Sequence, residues 1–130
     1  MSAEKILELL KKKDVTIAIV GATNDKTKYG NVIYRDLKSK NISVFGVNAK
    51  ATTIDGDKAY KTVEEIGKRP DILNFVLPPK IGLELIQGLV QKGYDNFWLQ
   101  PGAESEEILS FLDSSGKNYL AYSCVMVETR

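Results

Sequence analysis

Histidine is absent from this 130-residue chain, and cysteine occurs once, at Cys124. The first absence excludes Ser/His and Cys/His nucleophilic pairs, His-ligated metals and phosphohistidine chemistry. The second excludes an internal disulfide and a thiolate cluster, and it fits a reducing cytoplasm. No apolar run approaches the roughly 20 residues needed to span a bilayer. The opening MSAEKILELLKKK carries acids and lacks an apolar signal core, so no signal peptide is expected. Charge of one sign is scarce as well. At +1 the formal net charge gives no general pull toward nucleic acid or an anionic membrane. Lys11, Lys12 and Lys13 make a basic cluster, but at a helix end, where cations complement the dipole.

What is present suits a globular protein. Hydrophobic residues make up 43% and charged residues 27%, over a length that holds one domain, 1–130. Ile6, Leu7, Leu9 and Leu10 recur at helical spacing and predict a helix over 3–12. VTIAIV, at 15–20, is nearly all apolar, as expected of a strand buried on both faces in a parallel sheet. Val32, Ile33 and Leu37 mark a helix over 31–39, and ISVFGVN is a second strand ending near Val47.

A polar, glycine-punctuated stretch follows, with an edge strand expected at 58–60. Thr62 and Glu65 have the spacing of a capping box for one short helix. DILNFVLPP reads as a buried strand stopped by two prolines. Ile81, Leu85, Ile86, Leu89 and Val90 predict a helix ending before Gly93. NFWLQPG is a short strand and turn, 106–112 a helix, NYLAYS a last strand and CVMVETR a tail. This alternation predicts the α/β class: a doubly wound parallel sheet with helices on both faces. The expected strand order is 3-2-1-4-5-6, with ligand at the carboxyl ends of the strands where the order reverses.

Those ends are Gly21-Ala22-Thr23, Val47-Asn48-Ala49-Lys50, Leu77-Pro78-Pro79 and Leu99-Gln100-Pro101-Gly102. At the first, Gly21 permits close backbone approach, and a branched side chain there is expected to fill the phosphate space while leaving the fold intact. The chain then turns through Lys28, Tyr29 and Gly30 into a helix whose free N–H groups attract anions. Tight turns alone also account for both glycines, with Asn31 as a cap. At the second end an NAD site wants a carboxylate for the ribose hydroxyls, yet none occurs before Asp55. A neutral end followed by Lys50 suits a ribose bearing its own phosphate, as in NADP or coenzyme A; a solvated surface lysine is the plain alternative. Pro78 and Pro79 suit a helix start and also offer a flat apolar wall. Gln100 is harder to explain as turn chemistry.

With these residues assembled, the chain resembles the small stand-alone CoA-binding domains, which have a Rossmann-like fold similar to the nucleotide-binding domain of succinyl-CoA synthetase α subunits. The resemblance runs from Val15 to the tail and rests on IAIVGATNDKTKYGN, VFGVNAKATTIDGDKAY, DILNFVLPP, WLQPGAESEE and YSCVMVE, in order. It implies that Gly21, Ala22, Thr23, Lys28, Tyr29, Gly30 and Asn31 cradle the phosphates of coenzyme A or an acyl-CoA. By the same resemblance Val47, Asn48 and Lys50 lie by the adenosine, Leu77, Pro78 and Pro79 flank it, and Gln100 and Gly102 face the pantetheine. The family usually has Val-Asn-Pro where this chain has Val47-Asn48-Ala49.

A non-catalytic binding module follows from that resemblance, since the synthetases work through a phosphorylated histidine on a further domain. An NADP-dependent reductase is the enzyme alternative, but its Tyr-x-x-x-Lys pair would have to be Tyr34 and Lys38, in the helix after the first strand. A signalling receiver needs an aspartate at a strand end, and Gly21, Asn48, Pro78 and Gln100 stand there instead. Cys124 reads as a small packing residue rather than a thiol set to form a mixed disulfide with the CoA thiol, its neighbours in AYSCVMVE offering no cation to lower a thiol pKa.

Overall fold

The computed structural model describes residues 2–130 and sets the apolar stretch TIAIV at the centre of a seven-stranded sheet. In chain order the elements are α1 (Ser2–Leu10), β1 (Thr16–Val20), α2 (Tyr29–Ser39), β2 (Ser43–Val47), β3 (Thr53–Ile54) and β4 (Asp57–Tyr60). A 3-10 turn at Glu64–Ile66 precedes β5 (Ile72–Phe75), α3 (Pro79–Gln91) and β6 (Asn96–Leu99). The chain ends with α4 (Glu106–Ser114), β7 (Asn118–Ala121) and α5 (Val125–Glu128). The sheet runs β3-β4-β2-β1-β5-β6-β7, parallel except for the β3–β4 hairpin. Without β3, this is the expected doubly wound order, and it reverses between β1 and β5.

Because strand side chains alternate, the sheet feeds two cores. Ala18, Val20, Leu73, Phe75, Phe97 and Leu99 pack with Ile86 and Leu89 of α3 and Ile108 and Leu112 of α4. Ile17, Ile19, Ile72 and Trp98 pack on the opposite face with Ile6 of α1, Ile33 and Leu37 of α2 and Val125 of α5. Both faces of the central strands are therefore dry.

Three local readings change. The hairpin strand β3 was not expected, since two residues carry no alternation. Between β4 and β5 the anticipated short helix is a single 3-10 turn. Thr62 Oγ1 does accept from Glu65 N at 3.3 Å, but Glu65 Oε1 accepts from Lys61 N, at 3.1 Å, rather than closing the box on Thr62. The turn then stops at Gly67, in the left-handed region with φ +85°. The tail is also structured: α5 forms because Val125, fully buried, anchors it to the second core.

The strand starts are stitched by one acid. Asp71 accepts from Thr16 N at 2.9 Å and from Thr16 Oγ1 at 3.2 Å, donates its own N–H back to Thr16 Oγ1 at 3.0 Å, and pairs with Lys12 Nζ at 2.9 Å. Partial burial opposes ionisation of this carboxyl, but the Lys12 and Thr16 bonds together hold it below its ordinary range. A carboxylate whose folded pKa is depressed stabilises the fold above its unfolded value of about 3.9, and that contribution is lost as pH falls through the lowered folded value. Asp71→Asn is expected to cost about 1–3 kcal/mol at neutral pH and to flatten the acid limb of stability, read by urea unfolding across a pH series.

Candidate functional site

Gly21 leaves β1 at φ +106°, and Gly30 in the first turn of α2 sits directly against it. A Cβ on Gly30 would lie 2.4 Å from the Gly21 carbonyl oxygen, so helix and strand end meet backbone to backbone. The connecting loop is pinned from three sides. Asn31 Nδ2 donates to Thr23 O and Asn48 Nδ2 to Ala22 O, each at 2.8 Å. Asn24 Nδ2 donates to Thr53 O at 2.7 Å and its Oδ1 accepts from Asp55 N at 2.9 Å, which docks the β3–β4 hairpin on the loop. Within the loop, Asp25 accepts from Thr27 Oγ1 at 2.6 Å and from Thr27 N at 3.0 Å, bonds that lower its pKa. Among the described residues no acceptor meets the amides of Tyr29 and Gly30, the first turn of α2.

Two cavities open at this end of the sheet. A cleft of about 570 Å³ has one wall of Gly21, Thr23, Asp25, Lys28, Tyr29 and Gly30, a second of Val76, Leu77, Pro78 and Pro79, and a third of Pro101, Gly102 and Ala103. A smaller recess of about 200 Å³ lies between the 3-10 turn and α3, on the first core's face. Val20, Val47, Val63, Leu85 and Leu89 line it, with Lys61, Thr62, Glu64, Glu84 and Lys92 also around it. It exists because one 3-10 turn occupies the crossover from β4 to β5, where a full helix would cover the sheet.

Beside the cleft, Tyr29 Oη lies 2.6 Å from Cys124 Sγ. Burial first, and then the thiol contact, push the Tyr29 phenol well above its ordinary pKa. Cys124 is the N-cap of α5, which is held by Gln100 Oε1 accepting from Val125 N at 3.0 Å and by Lys40 Nζ donating to Met126 O at 2.9 Å. Among the described residues no group of three or more Cys, Asp or Glu side chains gathers for a metal, and no helix is long and apolar enough to cross a membrane.

A family profile described as a CoA binding domain matches residues 15–130. The chain belongs to this CoA-binding domain family. The domain is 28% identical over 120 residues to the alpha subunit of ADP-forming acetate–CoA ligase II of Pyrococcus furiosus, covering 84% of this chain and 26% of that one. It is 23% identical over 124 residues to ADP-forming acetate–CoA ligase I of Archaeoglobus fulgidus, covering 87% of this chain and 18% of the relative. It thus spans about a quarter or less of the length of these curated relatives. Among solved structures, a conserved hypothetical protein of P. furiosus is similar with a TM-score of 0.85 and 46% identity, over 88% of this chain and 99% of that one. A hypothetical protein of Pyrococcus horikoshii has the same TM-score at 26% identity, over 98% and 89%.

Of the residues expected at the ligand, the CoA-binding domain gathers Gly21, Thr23, Lys28, Tyr29, Gly30, Leu77, Pro78, Pro79 and Gly102 around the cleft, and Val47 in the recess. Ala22 and Asn31 are buried, and the side chains of Asn31 and Asn48 are engaged in holding the loop; they position the site rather than line it. Gln100 is a correction. It is fully buried, donating to Asn74 Oδ1 and accepting from Val125 N, so it faces α5 and not a pantetheine. Lys50 is exposed and borders neither cavity.

The recess was not anticipated, because Leu85 and Leu89 read as the core stripe of a helix and Lys61 as part of a polar crossover, and neither pattern says that the two face each other. The expectation for Gly21 also changes. Its Cβ would sit 2.9 Å from Val76 Cγ2 and 3.0 Å from Leu77 Cγ at a left-handed φ, so a branched side chain strains the fold as well. Gly30→Ala is expected to lower stability by about 1–3 kcal/mol through overpacking. Gly88→Ala, whose added Cβ meets nothing within 4 Å, should gain about 0.5–1 kcal/mol of helix propensity. Urea unfolding of the two variants checks both signs.

Proposed function

We propose that this domain binds coenzyme A or a short acyl-CoA and does not turn it over. The observation that carries the reading is the Gly21–Gly30 contact, which brings the unpaired amides of Tyr29 and Gly30 to the cleft at the point where the strand order reverses. Such amides, with Lys28 beside them, suit a pyrophosphate. The recess against Val47 and Val63 suits the adenosine, and Leu77 and Pro78 wall the cleft. The pantetheine arm then follows the cleft along Gly102. The names of the ligase relatives, which act with CoA, support the same ligand class.

A reductase reading finds no support at the cleft. Tyr34 is buried with its hydroxyl donating to Asp57 Oδ2 at 2.8 Å, and Lys38 Nζ pairs with the same carboxylate at 2.8 Å. Both side chains are spent on the hairpin. Catalysis finds none either: histidine is absent, and the cysteine contacts a tyrosine whose pKa is raised rather than a base. We place this module in the cytoplasm, where CoA and a reduced thiol coexist.

In a thermal-shift panel of CoA, acetyl-CoA, NAD, NADP and ATP, CoA or acetyl-CoA is expected to raise Tm most. A ligand at about 100 times its Kd contributes about 2.7 kcal/mol. A rise with NADP and none with CoA would sink the proposal. Acetyl-CoA incubated with the protein should release thiol no faster than in buffer, followed with a thiol reagent over hours; saturable release would make this an enzyme.

A further inference from the structure

The recess is the more selective of the two cavities, because apolar side chains line its interior and charges stand around it. Five cations lie in this region, and four are occupied. Lys92 is ion-paired with Glu64. Lys58 Nζ sits 5.2 Å from the centroid of the Tyr60 ring, and Lys68 Nζ 5.1 Å from that of Phe45. The Arg69 guanidinium stacks 4.1 Å from the Tyr94 ring and donates to Lys92 O at 2.6 Å. Lys61 is the remaining one: it lines the recess, and among the described residues its side chain has no ion pair or ring partner.

We propose that Lys61, and not Lys50, is the residue that recognises the ribose 3′-phosphate and so makes this site specific for CoA over ligands lacking that group. The inference rests on the CoA reading above. An adenosine whose base enters the recess leaves its ribose at the rim, next to whatever charge the rim carries. On the α3 side Glu84 repels a phosphate, which turns the group toward the end of β4, where Lys61 follows Tyr60. That strand end is held in register with the second one: Val47 pairs with Tyr60, and Asn48 N donates to Tyr60 O at 2.9 Å. Lys61 is therefore held beside Val47, whereas Lys50 belongs to the loop that leads away to the hairpin. A phosphate oxygen accepting from an ammonium is a charge-assisted bond, among the stronger polar contacts available at a rim.

The test is isothermal titration of CoA and dephospho-CoA into the wild-type chain and three variants, each first checked for an unchanged unfolding transition. Wild type is expected to prefer CoA by about tenfold or more. Lys61→Gln should bind the two compounds alike while keeping the wild-type affinity for dephospho-CoA. Lys58→Gln, which removes the same charge from the neighbouring ring-stacked position, should keep the preference. The inference is overturned if Lys61→Gln retains the preference, if Lys50→Gln erases it in place of Lys61→Gln, or if wild type binds the two compounds equally. Binding of neither compound by wild type would instead remove the CoA reading itself, and the inference with it.

Discussion

Gly21 and Gly30 touch through their backbones, and the rest of the site depends on that contact. It sets the first turn of α2 against the carboxyl end of β1, where Tyr29 and Gly30, whose amides meet no acceptor among the described residues, line the cleft. Neither glycine tolerates a Cβ: one would meet a carbonyl, the other the Val76 and Leu77 side chains at a left-handed φ. An interaction made of backbone has no rotamer to adjust. The loop it closes is accordingly held by three asparagines, Asn24, Asn31 and Asn48, each bonding a backbone carbonyl of another segment.

The second constraint is a shortage of helix. On the second core's face α1, α2 and α5 cover the sheet; on the first core's face α3 and α4 cover only part of it. The crossover from β4 to β5 contributes one 3-10 turn, which leaves the recess beside Val47 and leaves Phe45 and Tyr60 half-buried further out. Those two rings meet edge to face at 6.1 Å, and the ammonium groups of Lys58 and Lys68 stand over them, 5.2 Å from the Tyr60 centroid and 5.1 Å from that of Phe45. A fully packed crossover would bury that surface and would also fill the place proposed for the adenosine.

The chain terminus is part of the same end of the molecule. Gln100 sits at the end of β6, buried between Asn74 and the Val125 amide, and so joins the central sheet to α5. Through α5 it sets Cys124 against Tyr29, a residue that also lines the cleft. The Tyr122 backbone before it takes φ +63°, uncommon for a residue with a side chain. That turn swings the chain from β7 back over α2, where Lys40 receives it.

Pattern was enough for the class of fold and the strand order, and hence for the sheet end at which the cleft opens, because burial on two faces forces continuous apolar strands and right-handed crossovers order them. The glycine-bearing loop and the Pro78-Pro79 wall were legible for the same local reason: a special backbone demands a special residue. Gln100 was expected at the ligand and lies buried against α5, and Asn31 and Asn48 bond the loop, since an amide beside a strand end looks the same whether it meets a ligand or a neighbouring carbonyl. Lys61 carried no signal, and Leu85 signalled only the helix it lies on. Their place at one recess comes from the pairing of Val47 with Tyr60 and from the packing of α3, contacts between residues far apart in the chain that no local period records.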